Sequence, residues 1–238
     1  MMTLLGQGFN FDGFGSCGGV TPFVPTGTPE AWYDAQSLAL SNNDPVITWP
    51  DMTTNNHHLT GTAPVYKSSG GGGGAAPHAY VEFTKASSHY LTNNWGGAQA
   101  QPVTMFAVCK IRTVASGDYI FGSTNAGNRC GEVVGSGIPV DWTYYAGATA
   151  NTNEPMDTNW HVLTFLFNSA SSNMRIDGAS VGGTLNVGTK THNGFEIGSI
   201  LDGGGAHSDV DVGEVLIYYG NESPATNEGG LASKWGIS

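Results

Sequence analysis

The hexapeptide DVDVGE sets three carboxylates, Asp209, Asp211 and Glu214, close together in the chain. Alternate residues of a strand share a face, and two carboxyls about 5–5.5 Å apart are what retaining glycoside cleavage requires. No tryptophan-rich cleft sequence accompanies the trio, so the expectation is a capped, solvated strand entry and no catalytic residue. Histidine offers little metal chemistry. His57 and His58 lie in an Asn-rich turn, His161 follows Trp160, and His78, His89, His192 and His207 lack partners at zinc-like spacing. The acids expected in loops, Asp34, Asp202 and Asp209, form no oxygen-ligand loop, and no metal ligand is assigned.

Sugar stacking needs an aromatic face flanked by small polar groups. Trp95 stands between Asn94 and Gly96, in an expected loop. Trp142 and Tyr144 share one strand face, with Asn151 and Asn153 close behind. These three aromatics are the candidate glycan contacts; the alternative is that they belong to the core or to a subunit interface. The sequence carries no nucleophile triad and no Cys-His pair, and the glycine run Gly70 to Gly74 lacks the Lys-Ser/Thr of a phosphate cradle.

Short strands must position these groups. With 238 residues, 36 of them glycine, and only 11% charged residues, the composition favours turns and strands over helices. Thr104 to Ile111 puts Met105, Ala107, Cys109 and Ile111 on one face and Phe106 and Val108 on the other, as in a strand buried on both sides. In NWHVLTFLFNSASSNMRIDG, Leu163, Phe165 and Phe167 share a face, Met174 and Ile176 follow, and Asp177-Gly178 marks a two-residue hairpin. Gly213 to Tyr219 is a further apolar strand. Ser223-Pro224 reads as a helix start with Leu231 and Trp235 on one face, although Gly229 and Gly230 weaken that helix. Gly70 to Gly74 reads as an internal loop.

A net charge of −11 and eight scattered Lys and Arg argue against a nucleic-acid partner. No run approaches the roughly 18 apolar residues of a membrane span, and the first residues lack the basic and apolar regions of a signal peptide. Three cysteines, Cys17, Cys109 and Cys130, cannot close a disulfide set, so thiols in a reducing cytoplasm are expected.

Residues 1–29 differ in character: Phe9, Phe11 and Phe14 alternate with glycines, and Pro22, Pro25 and Pro29 follow. Ordering such an arm costs about 1–2 kcal/mol per residue. It is therefore expected to anchor on neighbouring subunits through Phe9, Phe11 and Phe14, or else to fold back along its own domain.

From Glu30 to Ser238 the chain resembles the concanavalin A-like lectin/glucanase superfold, in its laminin-G-like branch. The likeness rests on AWYDA, ITWPDMTTNNHHLTG, YVEFTKASSHYLT, PVTMFAVCKI, NWHVLTFLFNSASSNMRIDG and GEVLIYYGNESPATNEGGLASKWGIS, in that order. It implies an all-β, two-sheet antiparallel jelly-roll sandwich with Trp160 plugging the sandwich edge, to which the composition of residues 1–29 adds an extended Gly/Phe-rich N-terminal arm. Glucanases of the superfold carry Glu at the position of Asp209, and Glu214 falls in the closing strand of the non-catalytic branch. Calcium on the sandwich rim, known in relatives, is the alternative to no cofactor at all. The resemblance hosts many functions. The expectation drawn is a non-enzymatic structural or adhesive subunit of a large assembly, most simply a phage virion-surface protein such as a head decoration, head fibre or tail accessory component. It would be made in the host cytoplasm and contact other virion proteins, copies of itself or host-surface glycans. The alternatives are a carbohydrate-binding lectin module and, third, a glycoside hydrolase.

Overall fold

A computed structural model describes residues 23–74 and 77–238. Its strands are β1 (Ala31–Asp34), β2 (Thr48–Trp49), β3 (Leu59–Gly61), β4 (Val65–Gly71), β5 (His78–Phe83), β6 (Leu91–Gln99), β7 (Val103–Ile111) and β8 (Tyr119–Gly122). The second half of the chain adds β9 (Glu132–Ser136), β10 (Asp141–Tyr145), β11 (Thr149–Pro155), β12 (Trp160–Phe167), β13 (Ser172–Ile176), β14 (Ala179–Leu185), β15 (His192–Ile197) and β16 (Val210–Tyr219). Among the described residues one α-helix, α1 (Pro224–Trp235), follows the last strand.

The strands form two antiparallel sheets stacked as a sandwich, as the alternating patterns lead one to expect. The first runs β14-β13-β12-β7-β16-β5-β4; the second runs β11-β10-β9-β8-β15-β6-β3-β2. β16 is the axis of the first sheet. One of its edges lies wholly against β7, while the other is shared, with β5 pairing Val210 to Val212 and β1 pairing Glu214 to Ile217.

The two faces of β7 do what their periodicity predicts. Met105, Ala107, Cys109 and Ile111 enter the main core between the sheets, with Val81, Phe165, Phe195 and Val215. Phe106 and Val108 face outward into a smaller cluster beneath α1, with Val162, Leu216, Leu231 and Trp235. The Asp177-Gly178 turn joins β13 to β14 with φ of 48° and 82°, the left-handed pair that a two-residue hairpin needs.

One reading of the glycines needs correction. The run from Gly70 is not all loop: β4 continues to Gly71, and Gly73 N–H donates to the Trp235 carbonyl at 3.0 Å. The expected helix α1 runs through Gly229 and Gly230, and Gly230 has a packing reason: the Phe23 ring lies where any side chain at that position would collide with it. Residues beyond Phe23 are held by the sandwich itself. Thr26 donates from its N–H to Asn227 Oδ1 (2.9 Å) and accepts at its carbonyl from the Tyr218 hydroxyl (2.9 Å). Phe9, Phe11 and Phe14 lie outside the described residues.

Candidate functional site

The glycan aromatics read from sequence do not form a site. Trp142 and Tyr144 are 1% and 0% exposed, because β10 turns that face into the inter-sheet core, where Tyr144 packs on Phe165 and Phe167. Trp95 lies within β6 rather than in a loop, half-buried and flanked by other rings. His57 stacks on it at 4.2 Å and 15°, and His192 abuts it edge-on at 4.9 Å. Trp142 and Tyr144 therefore offer a sugar no free ring face, and His57 takes one face of the half-buried Trp95.

The acidic trio is not a solvated strand entry either. A bulge at Gly213 shifts the register of β16, so Asp211 and Glu214 both point out of the first sheet, toward α1 and solvent rather than the core. Glu214 is 0% exposed beneath α1. Its Oε2 accepts from Lys234 Nζ (2.6 Å) and Trp235 Nε1 (2.9 Å), its Oε1 from Trp32 Nε1 (2.8 Å). Burial, and then the Asp34 charge, raise its pKa against the pull of Lys234. Asp211 is also buried and contacts Arg112 Nε at 2.9 Å; desolvation pushes it up to about 7. Asp209 accepts from the Lys85 N–H at 2.9 Å. Among the described residues no cluster of acids suited to a metal ion forms, and Asp34 is spent on Lys234 Nζ (2.7 Å) and the Gln36 N–H (2.9 Å). Cys109 and Cys130 are buried free thiols whose pKa burial raises.

What the outer face of the first sheet does present is a registered row. Glu82 lies opposite Asp211, Asp211 opposite Lys110, and Lys110 opposite Trp160. At the Trp160 end the row opens into a groove of about 490 Å³, lined by Lys110, Asn159, Trp160, His161 and Asp177, with Gly72 and Gly73 opposite. Trp160 is half-buried; it stacks on Trp235 (5.9 Å, 24°) and meets Tyr80 edge-on (5.5 Å). It is therefore not a plug for the sandwich edge but the aromatic wall of a groove.

His161 is clamped between two carboxylates, its Nδ1 at 2.7 Å from Asp177 Oδ2 and its Nε2 at 2.9 Å from Asp157 Oδ1. Asp177 Oδ1 also accepts the Val162 N–H (2.8 Å). Burial opposes the imidazolium, but the hydrogen bonds and charges of Asp177 and Asp157 outweigh it, so the pKa is raised. A folded-state pKa above the unfolded value of about 6.5 makes His161 contribute fully below that pH and lose its contribution as pH rises through the raised value. We expect the difference in urea-unfolding free energy between the parent and a His161→Asn variant to be largest in mild acid and to shrink above neutrality. A difference that grows with pH would contradict the clamp.

These residues escaped the sequence reading for a physical reason. Asp157 and His161 stand four apart, but Asp177 comes from the far end of the next hairpin, and only the β12–β13 pairing brings it beside His161. The one local signal was a tryptophan next to a histidine, in a segment whose apolar run argued for core.

No protein-family model matches this sequence, and no curated protein matches it by sequence. Solved structures match the fold. Trypanosoma rangeli sialidase in complex with sialic acid aligns with TM-score 0.56 at 15% identity over 89% of this chain and 34% of its own. Domain 4 of a GH43 extracellular arabinanase from Geobacillus stearothermophilus, in complex with arabinotriose, aligns with TM-score 0.54 at 13% identity over 85% of this chain and 98% of its own. An arabinofuranosidase complexed with arabinofuranosyl-alpha-1,2-xylobiose aligns with TM-score 0.57 at 14% identity, covering 80% and 51%. The chain spans about one third of the sialidase it matches. At such identities the likeness is one of fold, the two-sheet β-sandwich. It nonetheless overturns the expectation of a non-enzymatic chain, because the chains that share this fold include a sialidase and an arabinofuranosidase.

Proposed function

We propose that this concanavalin A-like, laminin-G-like sandwich binds carbohydrate, and that the Trp160 groove holds the sugar. The observation that carries the reading is an indole set beside Lys110, Asn159 and the Asp177 carboxylate in one groove. Apolar sugar C–H faces pack on an aromatic ring, while hydroxyls need charged or amide partners at its rim. Support comes also from a neighbour almost all of whose length is this fold and whose structure holds arabinotriose.

Calorimetric titration with arabinotriose and with arabinofuranosyl-xylobiose, alongside a glycan array, tests the proposal. A Trp160→Ala variant is expected to lose at least about tenfold in affinity, roughly 1.4 kcal/mol, while keeping its β-sheet circular dichroism. Trp142→Ala, by contrast, removes a core side chain and is expected to lower stability by about 3–5 kcal/mol. Equal binding by parent and Trp160→Ala would move the sugar elsewhere. Chromatography of the same incubations reads whether the bound sugar is held or also cleaved.

A further inference from the structure

The Asp177 carboxylate borders two cavities. On one side is the Trp160 groove. On the other, a cleft of about 290 Å³ between α1 and the β12–β13 hairpin is lined by Val162, Arg175, Asp177, Ala225 and Glu228. The two cavities share Asp177, so a ligand long enough to pass it would occupy both as the lobes of one trough. At about 490 Å³ the Trp160 groove lies within the range of ligand pockets, about 300–1,000 Å³, and at about 290 Å³ the cleft lies at its lower edge, so filling both takes a molecule longer than a monosaccharide.

The charges of the trough are largely committed. Arg175 Nε donates to both Glu228 oxygens (2.8 and 3.1 Å), and its Nη2 donates to the Gly178 carbonyl. Both ring nitrogens of His161 face Asp157 and Asp177. Lys110 alone of the trough cations forms no ion pair among the described residues. An acidic sugar needs a cation with free donors, best a bidentate arginine fork. Here the fork is already occupied by Glu228, so an incoming anion would have Lys110 alone to pair with and the Asp177 and Glu228 carboxylates beside it. Neutral hydroxyls face no such penalty, since carboxylate oxygens keep lone pairs for O–H donors and Lys110 keeps N–H donors for sugar oxygens.

We infer that the trough takes a neutral oligosaccharide threaded past Asp177, and discriminates against sialylated and other anionic glycans. This rests on the carbohydrate reading of the groove and adds its ligand class. The test is calorimetry of the full chain in low salt with arabinotriose, xylotriose, arabinose and sialyllactose. A neutral trisaccharide is expected to bind at least tenfold more tightly than either arabinose or sialyllactose. Asp177→Asn, which keeps a residue tolerant of φ 48°, is expected to weaken trisaccharide binding about tenfold. Sialyllactose binding as tightly as the neutral trisaccharides would overturn the inference and leave the groove a sugar site. Arabinose binding as tightly as the trisaccharides would overturn the threading. No binding by any of the four, in a chain shown folded by circular dichroism, would overturn the carbohydrate reading and this inference with it.

Discussion

Replacing Lys234 by methionine is expected to lower the unfolding free energy by about 3–5 kcal/mol, the usual consequence of removing one partner of a buried ion pair. Lys234 Nζ lies 2.6 Å from Glu214 and 2.7 Å from Asp34, and the three side chains are 14%, 0% and 11% exposed. Without the ammonium, two carboxylates face each other under α1 with only the indole N–H groups of Trp32 and Trp235 and the Gln36 backbone N–H to hold them. Methionine keeps most of the stem that packs there, so the loss reports charge rather than cavity. The pH dependence has a definite sign. Desolvation and Asp34 already raise the Glu214 pKa, and losing Lys234 raises it further. A carboxyl with a raised folded-state pKa costs stability as pH rises through that value, so the variant should recover part of its deficit in acid. The companion Glu214→Gln keeps an acceptor oxygen for one side of the knot, turns its amide NH2 toward a donor on the other, and leaves Lys234 paired with Asp34; with no unpaired buried charge, its cost should be below that of Lys234→Met. The double variant should be more stable than Lys234→Met alone. Urea unfolding of the four proteins at pH 5 and pH 8 completes the cycle. A cost for Lys234→Met below about 1 kcal/mol at pH 8 would mean that Glu214 carries no charge in the folded chain.

The same knot shows what a sequence can and cannot tell. The sandwich was legible because its evidence is local: the period-two runs of β7 and β12, the Asp-Gly turn before β14, and the Pro224 helix start each declare themselves within a dozen residues. Asp34, Glu214 and Lys234 carry no such mark. Asp34 reaches Glu214 through the β1–β16 register, and Lys234 reaches both only when α1 folds back on the sheet. Aromatic residues misled for a related reason. Alternation says that Trp142 and Tyr144 share a face but not which face is inside, and packing between the sheets decided that. The groove needed three separate pairings, Lys110 with Trp160, β12 with β13, and the glycine run with the C-terminal residues, before any of its walls existed. Local pattern made the fold readable, and dependence on long-range contact made the site obscure.

Gly72→Ala is the second large effect expected, and it links the glycine run to the groove. Gly72 has φ +79°, and a Cβ there would collide with the Trp235 carbonyl oxygen at the end of α1. Beside it, Gly73 N–H holds that same carbonyl at 3.0 Å, and Gly236 closes on Gly74 so tightly that a Cβ on Gly236 would meet the Gly74 backbone. The run is glycine because two backbones touch. An alanine at position 72 carries about 1–2 kcal/mol for the left-handed conformation and about 1–3 kcal/mol for overpacking against atoms that cannot rotate away. Gly178→Ala separates the two terms. Gly178 also has positive φ, +82°, but no atom stands within 4 Å of its would-be Cβ, so only the conformational term applies. Urea unfolding should therefore rank Gly72→Ala clearly below Gly178→Ala, and both below the parent. Because Gly72, Gly73, Gly236 and Ser238 form the wall opposite Trp160, Gly72→Ala should also weaken trisaccharide binding at pH and salt where it remains folded, whereas Trp160→Ala acts on the facing wall. If the two glycine variants were equally stable, the close approach of the run to α1 would be wrong, and with it the geometry of the groove.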